Sequence, residues 1–152
     1  MLIKNIKGIY MLFNEKQICG ITTELIVAQK FIELGFIVSV PYGNNSRYDM
    51  IVDTDKERYR IQVKHASLNE NGSYTVNTSN TVSTTTRRER KYYSKEDIDF
   101  IVTIIENQLV IIPVELIEHS QSKIFRTKLP SSGQTAHCNL IQNYTVERYI
   151  LN

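Results

Sequence analysis

The chain has 152 residues, enough for one core of ordinary size, and its apolar, charged and aromatic fractions are those of an average globular protein. A formal net charge of +2 is too small to imply a polyanion partner by itself. No run approaches the roughly 18 uninterrupted apolar residues of a membrane span, and two distant cysteines without zinc-ligand spacing read as free thiols in a reducing cytoplasm.

Residues 1–13, "MLIKNIKGIYMLF", carry Lys4 and Lys7 and no cleavage-site pattern, so they read as an apolar extension rather than a signal peptide. Over 22–34, Leu25, Ile26, Ala28, Phe31, Ile32 and Leu34 recur at helical spacing, and Gly35 stops the helix. "FIVSV" (36–40) is a strand ended by Pro41, and 42–47 is a loop by its Gly and Asn content. Two apolar strands, 49–53 and 59–64, frame a charged turn. Residues 73–86 are rich in β-branched side chains and read as a hairpin or ribbon. With few large apolar groups, it packs against something other than its own core. A turn at 94–99 leads to two central strands, 100–105 and 109–113, and a short helix at 114–119. The segment 120–143 is mostly polar, and 144–151 reads as a last strand. The order of elements describes a single α/β or α+β domain: a core over 14–119 with its ribbon near 73–91, then an accessory segment, 120–152.

The chemistry gathers at the first hairpin, "RYDMIVDTDKERYRIQVK" (47–64). Strand alternation puts Tyr59, Ile61 and Val63 on one face, and Gln62 and Lys64 on the other. A turn centred near residue 56 places Asp49 opposite residue 63, within a residue or so. An acid, an amide and an amine then meet at one sheet end. Asp49, the Gln62 side-chain oxygen and the Val63 carbonyl are oxygen donors of the kind a hard divalent cation takes. Lys64 would orient the nucleophile and stabilise charge at a phosphate under attack. Spacing alone favours a plainer arrangement, a surface ion pair between Asp49 and Lys64.

The run "GITTELIVAQKFIELGFIVSVPYGNNSRYDMIVD" with "YRIQVK" resembles the PD-(D/E)XK nuclease superfamily. Within it the chain is similar to the bacterial group I intron-encoded homing endonuclease of this fold. The resemblance is strong over 20–64 and plausible through 93–115. It implies a restriction-endonuclease-like core, a central mixed sheet flanked by helices, with an added DNA-binding ribbon. It makes Glu24 the helix acid, Asp49 the motif Asp, Gln62 the acid-position residue and Lys64 the motif Lys. Glu24 then joins Asp49, Gln62 and the Val63 carbonyl around Mg2+, for which Mn2+ substitutes. Tyr48 stands where the motif name has Pro. Gln62 stands where an acid is usual, and a neutral oxygen binds a cation more weakly. The implied activity is sequence-specific cleavage of both strands of a pseudo-palindromic DNA target by a homo-oligomer, a homotetramer rather than a dimer. A junction resolvase or restriction-type nuclease of the same fold, and a silent DNA-binding module, are the competing readings.

Basic residues supply the expected DNA contacts. Arg87, Arg88, Arg90 and Lys91 follow the Thr- and Ser-rich ribbon, and a two-stranded ribbon fits the major groove. Arg47, Asn44 and Asn45 lie in the loop before Asp49. Lys123, Arg126 and Lys128 form a weaker group. "GIY" at 8–10 opens a different nuclease motif, but "ICG" at 18–20 is a poor and too-close second half. His65, His119 and His137 lack the sequence context of an HNH or zinc site.

Overall fold

Asn14 accepts a hydrogen bond from the Gln17 backbone N–H, while Gln17 reaches back to accept from the Asn14 N–H. This reciprocal cap starts the first helix, α1 (Glu15–Glu33), seven residues before the apolar repeat begins at 22. The structure, a computed structural model, describes residues 14–43, 45–83, 88–131, 133, 136 and 138–151. Thr23, Val27 and Phe31 form the buried stripe of α1, and Gly35, at φ +85°, turns the chain out of it.

The strands that follow are β1 (Ile37–Ser39), β2 (Met50–Asp53), β3 (Arg58–Val63), β4 (Ala66–Leu68), β5 (Tyr74–Asn77), β6 (Ser79–Ser83) and β7 (Arg88–Tyr92). Next come β8 (Phe100–Ile105), β9 (Gln108–Pro113), β10 (Ser122–Arg126), β11 (Asn139–Leu140) and a four-residue helix, α2 (Val146–Tyr149). A five-stranded sheet has the order β1-β2-β3-β8-β9, antiparallel except for the parallel β3–β8 pair. This is the mixed sheet of a restriction-endonuclease-like α+β fold.

Its two faces are buried by different partners. Val27 and Phe31 of α1 pack with Met50, Val52, Ile61, Val63, Phe100, Val102 and Ile111. On the other face Ile98, Ile101, Ile105, Val110 and Ile112 meet Val76 and Phe125 of a second sheet, ordered β11-β10-β5-β4. The alternation of β8 and β9 therefore divides one pair of strands between two cores.

Three expectations need correction. The segment 73–86 is not one hairpin: β5 joins the second sheet, whereas β6 pairs with β7 as a separate ribbon. The polar tail contains β10, which adds fully buried Phe125 to the core. Residues 144–151 do not form a strand, because Val146 and Ile150 bury on the same side of a helical turn capped by the Thr145 hydroxyl. Among the described residues no helix is long and apolar enough to cross a membrane.

Candidate active site

The β2–β3 register pairs Met50 with Ile61, so Asp49 sits opposite Gln62, one residue from the expected partner. The Asp49 N–H donates to the Ile61 carbonyl at 2.8 Å, extending the ladder to the acid. Asp49 Oδ2 accepts from the Val63 N–H at 2.7 Å and from the Gln62 amide nitrogen. The same nitrogen faces the Val63 carbonyl at 3.4 Å. A carboxylate and a carbonyl are both acceptors, and the Gln62 NH2 is the donor at hand. The amide thus presents its nitrogen where the sequence reading expects its oxygen. A half-turn of the amide exchanges the two ends without changing its shape.

Past the end of β3, Lys64 continues the parallel ladder, its N–H donating to the Val102 carbonyl at 3.0 Å. Among the described residues Lys64 forms no ion pair within 4 Å of Asp49 or Glu24, so the plain salt bridge that spacing favoured is not what the fold builds. Its ammonium instead donates to Asn80 Oδ1 at 2.6 Å and lies 5.3 Å from the centre of the Tyr93 ring. Glu24, half-buried on α1, lines one cleft with Asp49, Pro41, Gly43 and Ser46. Sequence reasoning missed Asn80 and Tyr93, since no local pattern links the ribbon to β3.

The electrostatics follow from burial. Desolvation raises the Asp49 carboxyl above its ordinary range, against the lowering effect of the Val63 N–H and Lys64. Glu24 is raised by desolvation and then by the Asp49 charge. Desolvation pushes Lys64 down, opposed by both acids. Two carboxylates that each resist ionisation form a centre short of positive charge. Asp49 Oδ2 and the Val63 carbonyl lie within reach of one Gln62 nitrogen, so an electron-pair acceptor between them would meet two oxygens. This donor set suits a hard divalent cation. Among the described residues no three or more His, Cys, Asp or Glu side chains are grouped so as to hold a metal ion, so the centre is poor in charged ligands.

The shifts set a stability prediction. A carboxyl raised in the folded state contributes stability below the ordinary carboxylate range, lost as pH rises through its raised folded value. Metal-free protein should therefore lose stability as pH climbs out of that range. Asp49→Asn should melt higher than wild type at about pH 7, with the gap closing at about pH 4. Thermal unfolding in chelator at both pH values checks this; equal melting at neutral pH would contradict it.

The basic candidates separate into groups. Arg47 is tied inward: its guanidinium pairs with Asp97 at 2.8 Å and stacks 5.7 Å over the Tyr93 ring. Asn45 is exposed on the loop. Arg90 and Lys91 are exposed on β7, where Lys91 pairs with Asn80 and Arg90 with Thr81. Lys91 therefore shares the ribbon face of Asn80, and Arg90 lies on the other. Lys123 stands on β10 over the Tyr144 ring, with Arg126 at the end of the same strand and Lys128 exposed beyond it. None of these three contacts the Asp49 group among the described interactions. Asn44, Arg87 and His137 lie outside the described residues, as does the side chain of Arg88.

The family model described as PD-(D/E)XK endonuclease matches residues 13–147, spanning α1, both sheets and the Asp49–Lys64 hairpin. The chain belongs to this family. Protein 5.3 of Escherichia phage T7 is 28% identical over 101 residues, covering 64% of this chain and 80% of that protein. The bacterial homing endonuclease I-Ssp6803I superposes with a TM-score of 0.68 at 21% identity, over 80% of this chain and 84% of that one. That likeness carries the fold of this PD-(D/E)XK chain.

Proposed function

We propose that the chain is a magnesium-dependent endonuclease that hydrolyses both strands of double-stranded DNA at a specific site, in the manner of an intron-homing enzyme. The observation that carries this reading is the convergence of Asp49, Gln62, Lys64 and Glu24 at one end of the mixed sheet. Asp49, Gln62, the Val63 carbonyl and Glu24 would hold Mg2+ or Mn2+. A cation there would neutralise charge on the scissile phosphate and lower the pKa of a water. Lys64 binds and orients the attacked phosphate and offsets the charge that grows on it. Val63 N–H holds Asp49 in place, and α1 brings Glu24 to the same cleft.

The ribbon supports DNA as substrate. Arg90 and Lys91 are exposed on a two-stranded element of the size a major groove admits. Neutralising both should flatten the log–log salt dependence of DNA binding by up to about two units, one per phosphate contact. An unchanged slope in a salt-titrated binding assay would make the ribbon a solvated loop.

One centre cuts one strand, so cleavage of both calls for a two-fold assembly and a pseudo-palindromic target. Two such dimers, a homotetramer, would give so small a chain the long target that homing needs. Ile18, Ile21, Leu25 and Ile32, exposed on α1 at heptad-like spacing, support a helix-to-helix contact between copies. The reading is tested on duplex, four-way-junction and single-stranded DNA with Mg2+ or with chelator. Mg2+-dependent double-strand breaks at one site in duplex support it; preference for the junction makes the chain a resolvase, and no cleavage of any substrate overturns it.

A further inference from the structure

Among the described residues, the ribbon β6–β7 reaches Lys64 with a hydrogen bond from outside the sheet that carries it. Asn80, exposed on β6, accepts from the Lys64 ammonium at 2.6 Å across sixteen residues of sequence. Tyr93, one residue past the end of β7 and 3% exposed, supports the same ammonium with the face of its ring. Its hydroxyl is buried beside Asn80 without a hydrogen bond of ordinary geometry. A lysine on a flexible four-carbon stem has many ways to miss a phosphate, and neither carboxylate holds this one.

We propose that Asn80 is a positioning residue: its amide oxygen, with the Tyr93 ring as backing, fixes the Lys64 ammonium at the reaction centre. The element proposed to grip DNA thereby also sets the catalytic amine. Asn80 and Lys91 are register partners, so one ribbon face carries both a candidate phosphate contact and the lysine's anchor. This inference rests on the nuclease reading for its effect on rate, but not for the grip itself.

The test uses the full chain. In 15N-labelled, metal-free protein the Lys64 ammonium should give its own cross-peak, assigned by its loss in Lys64→Arg, because a held ammonium exchanges its protons slowly. Asn80→Ala should lose that peak, and so should Asn80→Thr, which keeps a strand-forming residue but lacks the reach. Asn80→Asp, which keeps an oxygen in place, should restore it. With saturating duplex and Mg2+, Asn80→Ala should lower the single-turnover cleavage rate tenfold or more and change DNA affinity less than about threefold. A peak that persists in Asn80→Ala overturns the proposal, as does a wild-type ammonium exchanging as fast as exposed lysines. So does an unchanged cleavage rate after the peak is lost. Should the wild-type chain cut no DNA at all, the nuclease reading falls, and the cross-peak alone still decides the grip.

Discussion

Asp49→Ala is expected to lower the single-turnover cleavage rate roughly a thousandfold or more, equivalent to about 4 kcal/mol of transition-state stabilisation. No other carboxylate of the hairpin lies at its Gln62 end: Asp53, at the far end of β2, is paired with Arg58 at 2.6 Å. Gln62 is neutral, and Glu24 reaches the cleft from a different element. Removing Asp49 leaves the centre with one acid and an amide. The fold should tolerate the change, because Asp49 lies beyond β2 and its burial raises rather than relieves the cost of its charge. Cleavage by the mutant at the wild-type rate in Mg2+ would remove Asp49 from the mechanism. Circular dichroism and DNA binding on the same preparation separate loss of chemistry from loss of fold.

Phe31→Ala should be the most damaging change to stability, at about 3–5 kcal/mol, a large part of what a domain of this size has in hand. Phe31 is fully buried and 6.3 Å from the Phe36 ring, so the ring side chain leaves a cavity between α1 and the five-stranded sheet. Urea unfolding would show the loss as a lower midpoint with an unchanged slope. The effect extends to the site. Glu24 lies two turns before Phe31 on the same helix, and only Thr23, Val27 and Phe31 are buried along it. A loosened helix should hold Glu24 less well, lowering cleavage per folded molecule more than Phe31→Leu does. A midpoint within experimental error of wild type would mean that the helix is held elsewhere.

The first hairpin was legible because its period is short and its turn is polar: "MIVD" and "RYRIQV" state their own pairing, and the register came within one residue. The helix was legible as an element but not in its buried face: of the apolar residues that mark it in the sequence only Phe31 joins Thr23 and Val27 in the core, while Leu25, Ile32 and Leu34 are exposed, and its start is carried by the polar cap of Asn14 and Gln17. The second sheet escaped because its four strands are short and only two of them, β5 and β10, contribute a fully buried side chain, Val76 and Phe125, amid polar neighbours. Val146 and Ile150 suit a strand by type, yet their four-residue spacing and common burial select a helix. At the site, the pairing of Asp49 beside Gln62 could be placed from the sequence, but the partner of Lys64 could not. Asn80 sits in a Thr- and Ser-rich ribbon whose folding back onto β3 is a property of the whole topology.

The central strand carries a problem of reading frame. Phe100, Ile101, Val102, Thr103 and Ile105 are all buried, so a slip of β8 by one residue would still bury apolar groups on both faces. Alternation cannot forbid that slip, as it can in a strand with one wet side. The prohibition comes from the residue before the strand. Asp99 donates its N–H to the Arg60 carbonyl at 2.9 Å and accepts from the Arg60 N–H at 2.7 Å, while the Arg60 guanidinium grips both carboxylate oxygens. Its carbonyl also takes the Val114 N–H at 3.1 Å. A half-exposed ion pair of modest worth in free energy thus marks where the hydrophobic text begins, for the strand on either side of β8 at once. Val102, which holds the Lys64 backbone, is counted from that mark, so the address of the Lys64 amine is written by Asp99, at the opposite end of the strand pair.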